Sequence, residues 1–162
     1  GVQTCALPIL IVNTGGGVAG GDRQSVDVHA EVGAQVTVTT QSAEKIYRAD
    51  AEAAEISLSL RARGGSALAW LPQETIMFAG ARLRRRLDAD VAADATLTIV
   101  ESLVFGRLAM GEVVTDGELR DRWRVRRDGA LVFAEELRID GAVAQTLDRP
   151  DRKSTRLNSS HT

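Results

Sequence analysis

The sequence has 162 residues, with 20 basic and 22 acidic side chains and a formal net charge of −2. This length suffices for one domain with a hydrophobic core, and the mildly acidic balance provides no electrostatic footprint for nucleic acid. Its apolar runs are too short to cross a bilayer, and no secretory signal precedes Leu10. We therefore expect neither a membrane span nor an export signal.

Both ends of the chain carry a short segment that we interpret as non-native. Residues 1–9 read GVQTCALPI, and residues 151–159 read DRKSTRLNS. A single DNA segment of nine codons can encode the first on one strand and the second on the other, and it resembles a common sequencing adapter. We predict an adapter-derived segment at 1–9, a native domain at 10–150 and a second adapter-derived segment at 151–162, with both end segments disordered.

Excluding these ends changes the chemistry available to the chain. It removes Cys5, the sole cysteine, leaves His29 as the sole histidine and shifts the formal net charge to −4. A domain without cysteine has no disulfide framework and no Cys-type zinc site. One histidine cannot build a tight site for a borderline transition metal, because such metals favour imidazole and thiolate ligands. His29 also lies on a polar strand face, so we expect no catalytic residues and no tightly bound cofactor.

Alternation of apolar and polar residues predicts β-strands along most of the chain. In chain order, the alternating segments are 25–32, 56–60, 82–91, 97–105 and 131–139. The Ala- and Glu-rich segment 41–54 is the one helical candidate. Glycine-containing turns separate the strands at Val32–Ala34, Arg63–Gly65, Asp116–Gly117 and Asp128–Gly129.

The spacing of these turns, near every ten residues, predicts an all-β, mostly antiparallel fold of stacked sheets with at most one or two short helices. Asp128-Gly129 is typical of a two-residue hairpin turn, because both residue types tolerate positive φ. No internal sequence repeat is apparent.

The glycines at the start of the domain suggest a nucleotide site, which we disfavour. Gly15, Gly17 and Gly20 match the spacing of a dinucleotide-binding loop. Such a loop needs a following helix to meet the pyrophosphate, whereas 25–32 alternates as a strand. No Gly-Lys-Ser/Thr triplet follows either. We favour a tight loop in which the Asp22 carboxylate accepts hydrogen bonds from backbone N–H groups.

Two glutamates interrupt apolar strand faces, Glu101 in 97–105 and Glu135 in 131–139. A carboxylate in such a place is desolvated unless it is paired or beside water. For Glu101 two interpretations stay open: a buried salt bridge, with Arg107 or another arginine as partner, or a polar group that lines an internal cavity. Burial would raise the pKa of Glu101, and a neighbouring arginine would lower it.

Further charged residues have simpler interpretations. Arg107 and Glu112 flank a glycine-containing loop, and we predict a structural ion pair between them, with a partner contact as the alternative. The arginine clusters at 82–86 and 120–127 alternate with apolar residues, which favours the solvated face of a strand.

Four segments together resemble the urease accessory protein UreD (UreH) family. They are Asn13–Asp22, Thr39–Gln41 leading to Lys45–Arg48, Trp70–Phe78, and the Glu101, Phe105–Arg107 and Met110–Glu112 series. The resemblance covers nearly all of 10–150 and identifies the chain as an internal fragment of a longer protein. It implies an elongated stack of two β-sheets.

The resemblance also implies a function. It indicates a non-enzymatic chaperone subunit of the cytoplasm that binds apo-urease and UreF, and acts through UreF with the GTPase UreG to insert nickel. It implies no membrane or nucleic-acid partner, and nickel would be in transit along an internal route. The alternative class is a β-sheet interaction module with no role in metal transfer.

Site residues follow from this hypothesis. Our first candidate for lining a passage is Glu101, with Asp22, Gln41 and Glu112 behind it, since conduction requires weak, releasable sites. The candidates for structural or partner contacts are Gly20, Gly21, Tyr47, Glu74 and Arg107.

Overall fold

The computed structural model describes residues 7–107 and 110–147. Within these residues it contains twelve strands and one short helix, so the all-β prediction is confirmed. The strands are β1 (Leu7–Ile11), β2 (Arg23–Ala30), β3 (Gln35–Thr40), β4 (Glu44–Ile46), β5 (Ala54–Ala62), β6 (Ala67–Trp70), β7 (Thr75–Met77), β8 (Arg82–Val91), β9 (Thr96–Ile99), β10 (Leu103–Phe105), β11 (Asp116–Arg127) and β12 (Ala130–Ala142). Helix α1 spans Val143–Leu147. None of the helices in this part of the chain is long and apolar enough to cross a membrane.

The strands form three sheets that the chain visits in rotation. A long sheet has the order β12-β11-β8-β5-β2, a first cover sheet the order β1-β3-β6-β9, and a second cover sheet the order β10-β7-β4. Three successive turns of chain begin with β2, β5 and β8, and each turn contributes one strand to each sheet. The fold therefore contains a structural repeat that the sequence does not display.

The prediction of mostly antiparallel strands is wrong. Of the nine strand pairings in the described residues, eight are parallel and one is antiparallel. A strand that rejoins the same sheet after a full turn of chain runs in its original direction, which gives parallel neighbours. The exception is the β11–β12 hairpin, whose turn residues Asp128 and Gly129 have φ of 47° and 79°, as predicted.

The core lies between the long sheet and the two cover sheets, which confirms that the sheets are stacked, although there are three sheets and not the expected two. The first core cluster joins the long sheet to the first cover sheet and includes Leu60, Leu68 and Leu87, each about 1% exposed. The second cluster joins the long sheet to the second cover sheet and contains Ile46 and Leu83. Burial of each such side chain contributes roughly 1.5–3 kcal/mol.

Several predicted boundaries differ from the structure. The segment 97–105 is two strands, β9 and β10, in different sheets, because the chain bends between cover sheets at residues 100–102. The helical candidate 41–54 contains no helix and instead contains β4, turns and the first residue of β5. Asp116–Gly117 does not break the chain but begins β11.

The ends and the last predicted face also need correction. Residues 7–9 belong to β1 and pair with Val36–Val38, so the prediction of disorder is wrong for them; residues 1–6 and 151–162 lie outside the described part. In 131–139 the β11–β12 register shifts between Val125 and Arg126. Because of this shift, Leu131 is the register partner of Arg126, and it does not continue the strand face that carries Phe133. The single apolar face predicted for 131–139 is therefore interrupted at Leu131.

Candidate functional site

One row of residues crosses the inner face of the long sheet between the two core clusters. Its members are register partners on successive strands: Gln24, Ile56, Arg85, Asp121 and Leu137. The neighbouring rows on either side are apolar over β5 and β8, with Leu58 and Leu87 in one, and Ala54 and Leu83 in the other. The row is therefore a polar interruption in an apolar layer.

A cavity lies above this row, where the chain passes from the first cover sheet to the second. The three crossing segments supply its upper wall, and the row supplies Gln24, Ile56 and Arg85. The cavity measures about 80 Å³. Since a water molecule needs roughly 10–15 Å³ of such space, it has room for several waters. The polar side chains around it are Gln24, Thr40, Glu44, Gln73, Thr75, Arg85 and Glu101.

Arg85 joins two carboxylates in a buried cluster. Its Nη1 lies 2.6 Å from Glu101 Oε2, and its Nε and Nη2 donate to Asp121 Oδ1 and Oδ2 at 3.0 and 2.5 Å. The three side chains are only 6–7% exposed. Two indole N–H groups complete the network, from Trp70 to Glu101 Oε1 at 2.8 Å and from Trp123 to Asp121 Oδ1 at 3.1 Å.

The pKa values of Glu101 and Arg85 in this cluster are both shifted, but for different reasons. Burial raises the pKa of Glu101, even though the charge of Arg85 and the hydrogen bond from Trp70 act in the opposite direction. Glu101 Oε2 contacts Arg85 but accepts no well-aligned hydrogen bond from the described residues, so its desolvation is incompletely offset. Burial opposes the charge on Arg85, but the bond to Asp121 and the charges of both carboxylates prevail and raise its pKa.

The two interpretations of Glu101 are therefore both correct: the residue is ion-paired and it lines a cavity. Its partner, however, is Arg85 and not Arg107. Arg85 shares the inward face with Leu83 and Leu87, so the interpretation of 82–86 as a solvated face is wrong at this position. The signal was present in the sequence, because Arg85 falls in phase with the apolar residues of the strand.

Asp121 and Glu135 were assigned to the wrong environments. Asp121 is 5% exposed because it shares the inward face of β11 with Leu119 and Trp123, so 120–127 is not wholly solvated. Glu135, by contrast, is exposed rather than desolvated. Its register partner is Trp123 on the inward face, and in the described residues no strand of the first cover sheet follows β9.

The remaining lining candidates lie apart from this cluster. Gln41 borders a second cavity of about 90 Å³, which shares Ile11, Thr40 and Glu44 with the first. Asp22 and Glu112 border neither of these two cavities. The carboxylate of Asp22 accepts a hydrogen bond from Ala19 N at 2.8 Å, as predicted for the tight loop. Strand β2 follows that loop, so it does not have the architecture of a dinucleotide site.

Arg107 and Glu112 form the predicted ion pair, with 2.9 Å between Nε and Oε2. The hydrogen bond from Arg107 and another from Ala79 N lower the pKa of Glu112. Arg107 also stacks 4.7 Å from the ring centroid of Phe78, which packs edge-on against Tyr47 at 5.4 Å. Tyr47 and Arg107 therefore both pack against the ring of Phe78.

The other contact candidates have structural roles in the backbone. A Cβ added at Gly20 would lie 2.7 Å from both Ala49 Cβ and Glu52 O, so two segments approach closely there. Gly21 has φ of 83°. Glu74 is half-buried before β7, and its carbonyl accepts from Glu44 N at 2.9 Å. No group of three or more His, Cys, Asp or Glu side chains within residues 7–107 and 110–147 is arranged to hold a metal ion.

The fold and the cluster define an all-β protein of stacked, mostly parallel sheets with a buried ion network. The family model of the UreD urease accessory protein matches residues 3–155, so the chain belongs to the UreD family. It is 53% identical over 149 residues to urease accessory protein UreD of Methylobacterium sp. (strain 4-46), covering 92% of this chain and 53% of the relative.

Other relatives give the same result. Urease accessory protein UreD 3 of Bradyrhizobium sp. (strain BTAi1 / ATCC BAA-1182) is 52% identical, and UreD of Rhodopseudomonas palustris (strain HaA2) is 51% identical, each over 144 residues. Both alignments cover 89% of this chain and 52% of the relative, so the chain spans about half the length of these curated relatives. All are named as accessory proteins and not as enzymes.

Proposed function

We propose that this chain is part of a urease accessory subunit that binds apo-urease and UreF in the cytoplasm. Through UreF it acts with the GTPase UreG, and nickel passes in transit through the interior of the subunit. Membership of the UreD family supports a role in urease maturation. The observation that carries the nickel route is the cavity beside Glu101, which lies between the long sheet and the crossing segments and is lined by both apolar and polar side chains.

The donors around this cavity suit transit better than storage. They are carboxylate, amide and hydroxyl oxygens, whereas nickel is held tightly by imidazole and thiolate. Weak oxygen donors and room for water would let a partly hydrated ion enter and leave, as conduction requires. The positive charge of Arg85 offsets the charge of Glu101, which further weakens any complex formed there.

The second cavity supports a path toward the surface. It shares Ile11, Thr40 and Glu44 with the first and borders Gln41, an exposed residue. Glu44 therefore belongs to the wall that the two cavities have in common. We place Glu101 at the inner end of this path and Gln41 at its outer end.

The test uses the complete gene, expressed in a urease-positive strain that lacks its own UreD protein, with urease activity measured after nickel addition. Restored activity would support the maturation role. Glu101→Gln retains an acceptor for the Trp70 indole but removes the charge, so we expect lower urease activation with folding and UreF binding intact. Glu136→Gln is the matched control, since Glu136 pairs with Arg120 on the opposite, outer face. Normal activation by a folded Glu101→Gln protein would refute the lining role.

A scaffold without a metal role is the second candidate, and the Tyr47–Phe78–Arg107 stack favours it because this stack is partly exposed. In that case Tyr47→Ala would weaken UreF or urease binding and reduce activation, while Glu101→Gln would leave activation unchanged. The opposite pattern would favour the nickel route.

A further inference from the structure

In the described residues, the first cover sheet has four strands and the long sheet has five. Strands β3, β6 and β9 accompany β2, β5 and β8 of the three turns. The hairpin β11–β12 begins a fourth turn in the long sheet, yet in residues 7–107 and 110–147 no cover strand follows β9. The inner face of the hairpin therefore extends beyond its cover.

Side chains at this end of the core are incompletely buried. In β9, Leu97 and Ile99 are half-buried, whereas their register partners in β6, Leu68 and Trp70, are 1% and 6% exposed. Phe133 of the hairpin is 44% exposed. We define the open flank as the apolar residues that border the missing strand: Leu97, Ile99, Trp123, Val125 and Phe133.

The backbone of β9 presents a matching edge. Thr96 N and Val100 N donate to Ser66 O and Trp70 O at 2.8 and 3.0 Å, so the even-numbered N–H groups point toward β6. Strand geometry then directs the N–H groups of Leu97 and Ile99 away from β6, toward the open flank. An apolar surface beside unpaired ladder groups is a template for strand addition.

The opposite side of the same turn is closed. There the second core cluster is covered by Val114, which is 5% exposed, and by Val143 of α1, which is 2% exposed. The opening is therefore specific to the first cover sheet and is not a general property of this end of the fold.

We propose that the open flank receives one further β-strand, supplied by the part of the full-length protein that this chain does not span. The chain covers only 52–53% of the length of these curated relatives, so the rest of the full-length protein is nearly as long as this chain and can supply a strand. The added strand pairs with Leu97 N and Ile99 N and places apolar side chains, at alternate positions, over Trp123 and Phe133. Glu135 lies exposed on the same face, and a carboxylate that becomes covered needs a partner, so the strand carries a cationic or hydrogen-bonding side chain that faces it.

Hydrogen–deuterium exchange tests this proposal by comparing the complete protein with the 162-residue chain. We expect the amides of Leu97 and Ile99 to exchange at least about tenfold more slowly in the complete protein. Equal, rapid exchange in both proteins would overturn the proposal. Protection that depends on the concentration of the 162-residue chain would assign the flank to a second copy, and protection only after UreF or urease is added would assign it to a partner. Both results also overturn it.

A pair of variants isolates the backbone contribution. Leu97→Pro removes an N–H that β6 does not use, and proline is tolerated at such an edge position. Leu97→Ala removes the same side chain but keeps the N–H. We expect Ile99 to lose its protection in Leu97→Pro and to retain most of it in Leu97→Ala. The same loss in both variants would show that no ladder forms at this edge, and the comparison of unmodified proteins stands if Leu97→Pro does not fold.

Discussion

Arg85 and Asp121 are register partners on the adjacent parallel strands β8 and β11, and their side chains form a bidentate ion pair with N–O distances of 3.0 and 2.5 Å. The pair lies on the inner face of the long sheet, where its neighbours along each strand are apolar. Glu101, from the bend between the cover sheets, adds a second carboxylate to the same guanidinium. One buried cation thus links two strands of the long sheet to the bend between the cover sheets.

Arg85→Met tests how strongly the fold depends on this cation. The substitution leaves Glu101 and Asp121 buried without a counter-charge, so we expect the free energy of unfolding to fall by about 3–5 kcal/mol. Urea denaturation followed by circular dichroism measures the change. Arg86→Met is the control on the outer face, where Arg86 is 56% exposed beside Asp88, and we expect a change within about 0.5 kcal/mol. Equal effects from the two variants would contradict the assigned burial of Arg85.

Glu101→Gln is expected to change the pH dependence of stability. Because burial raises the folded-state pKa of Glu101 above its ordinary 4.5, the folded protein binds this proton more tightly than the unfolded chain. The resulting stability is fully present below pH 4.5 and is lost as the pH rises through the folded-state pKa. The variant lacks this loss. Its free energy of unfolding should therefore rise relative to that of the wild type as the pH increases from acidic to neutral. A constant difference across that range would show that Glu101 does not titrate as inferred.

Gly20→Ala tests the close approach of the glycine-rich loop to the segment after β4. The added methyl group would meet Ala49 Cβ and Glu52 O at 2.7 Å, so backbone must move, and we expect a loss of about 1–3 kcal/mol in thermal or urea unfolding. Gly64→Ala is the matched control, because its new Cβ would meet only the two carboxylate oxygens of Asp94, at 3.4 and 3.8 Å. A neutral Gly20→Ala would mean that the two segments are not in contact.

Glu112→Gln should loosen the loop that follows β10. The carboxylate accepts from Ala79 N at 3.2 Å and pairs with Arg107, and the second of these lowers its pKa most. Stability from a lowered pKa is present above the ordinary value of 4.5 and is lost as the pH falls through the folded-state pKa. We therefore expect faster exchange of the Ala79 amide in the variant than in the wild type near neutral pH, with the difference shrinking in acid.

The control for this loop is Asp50→Asn, which removes a pair with Arg48 whose side chains are 77% and 87% exposed. Such an exposed pair contributes little, so exchange at Ala79 should stay as in the wild type. If both variants accelerated exchange equally, the Glu112 contact would not be the cause.

Alternation along the chain located β2, β5, β8 and β12 and the segment that contains β9 and β10, because the two faces of a strand meet different environments whatever its neighbours are. It did not identify the shorter strands β3, β4, β6 and β7. Asp128-Gly129 similarly identified the hairpin, since a two-residue turn is a local structure. Glu101 could be singled out for the same reason: a carboxylate in phase with Leu97 and Ile99 needs a partner or a cavity, and it has both.

Strand direction and the identity of the partners were decided only in three dimensions. The same alternation suits parallel and antiparallel ladders, so the eight parallel pairings follow from the rotation of the chain through three sheets. Successive turns match in apolar character but not in residue type, as in the ladder of Val38, Trp70 and Ile99, and this hid the repeat. Arg85 is in phase with the apolar residues of its strand, but as part of the arginine cluster at 82–86 it was assigned to a solvated face. Only the stacking of the third and fourth turns brought Asp121, 36 residues later, within hydrogen-bonding distance of it.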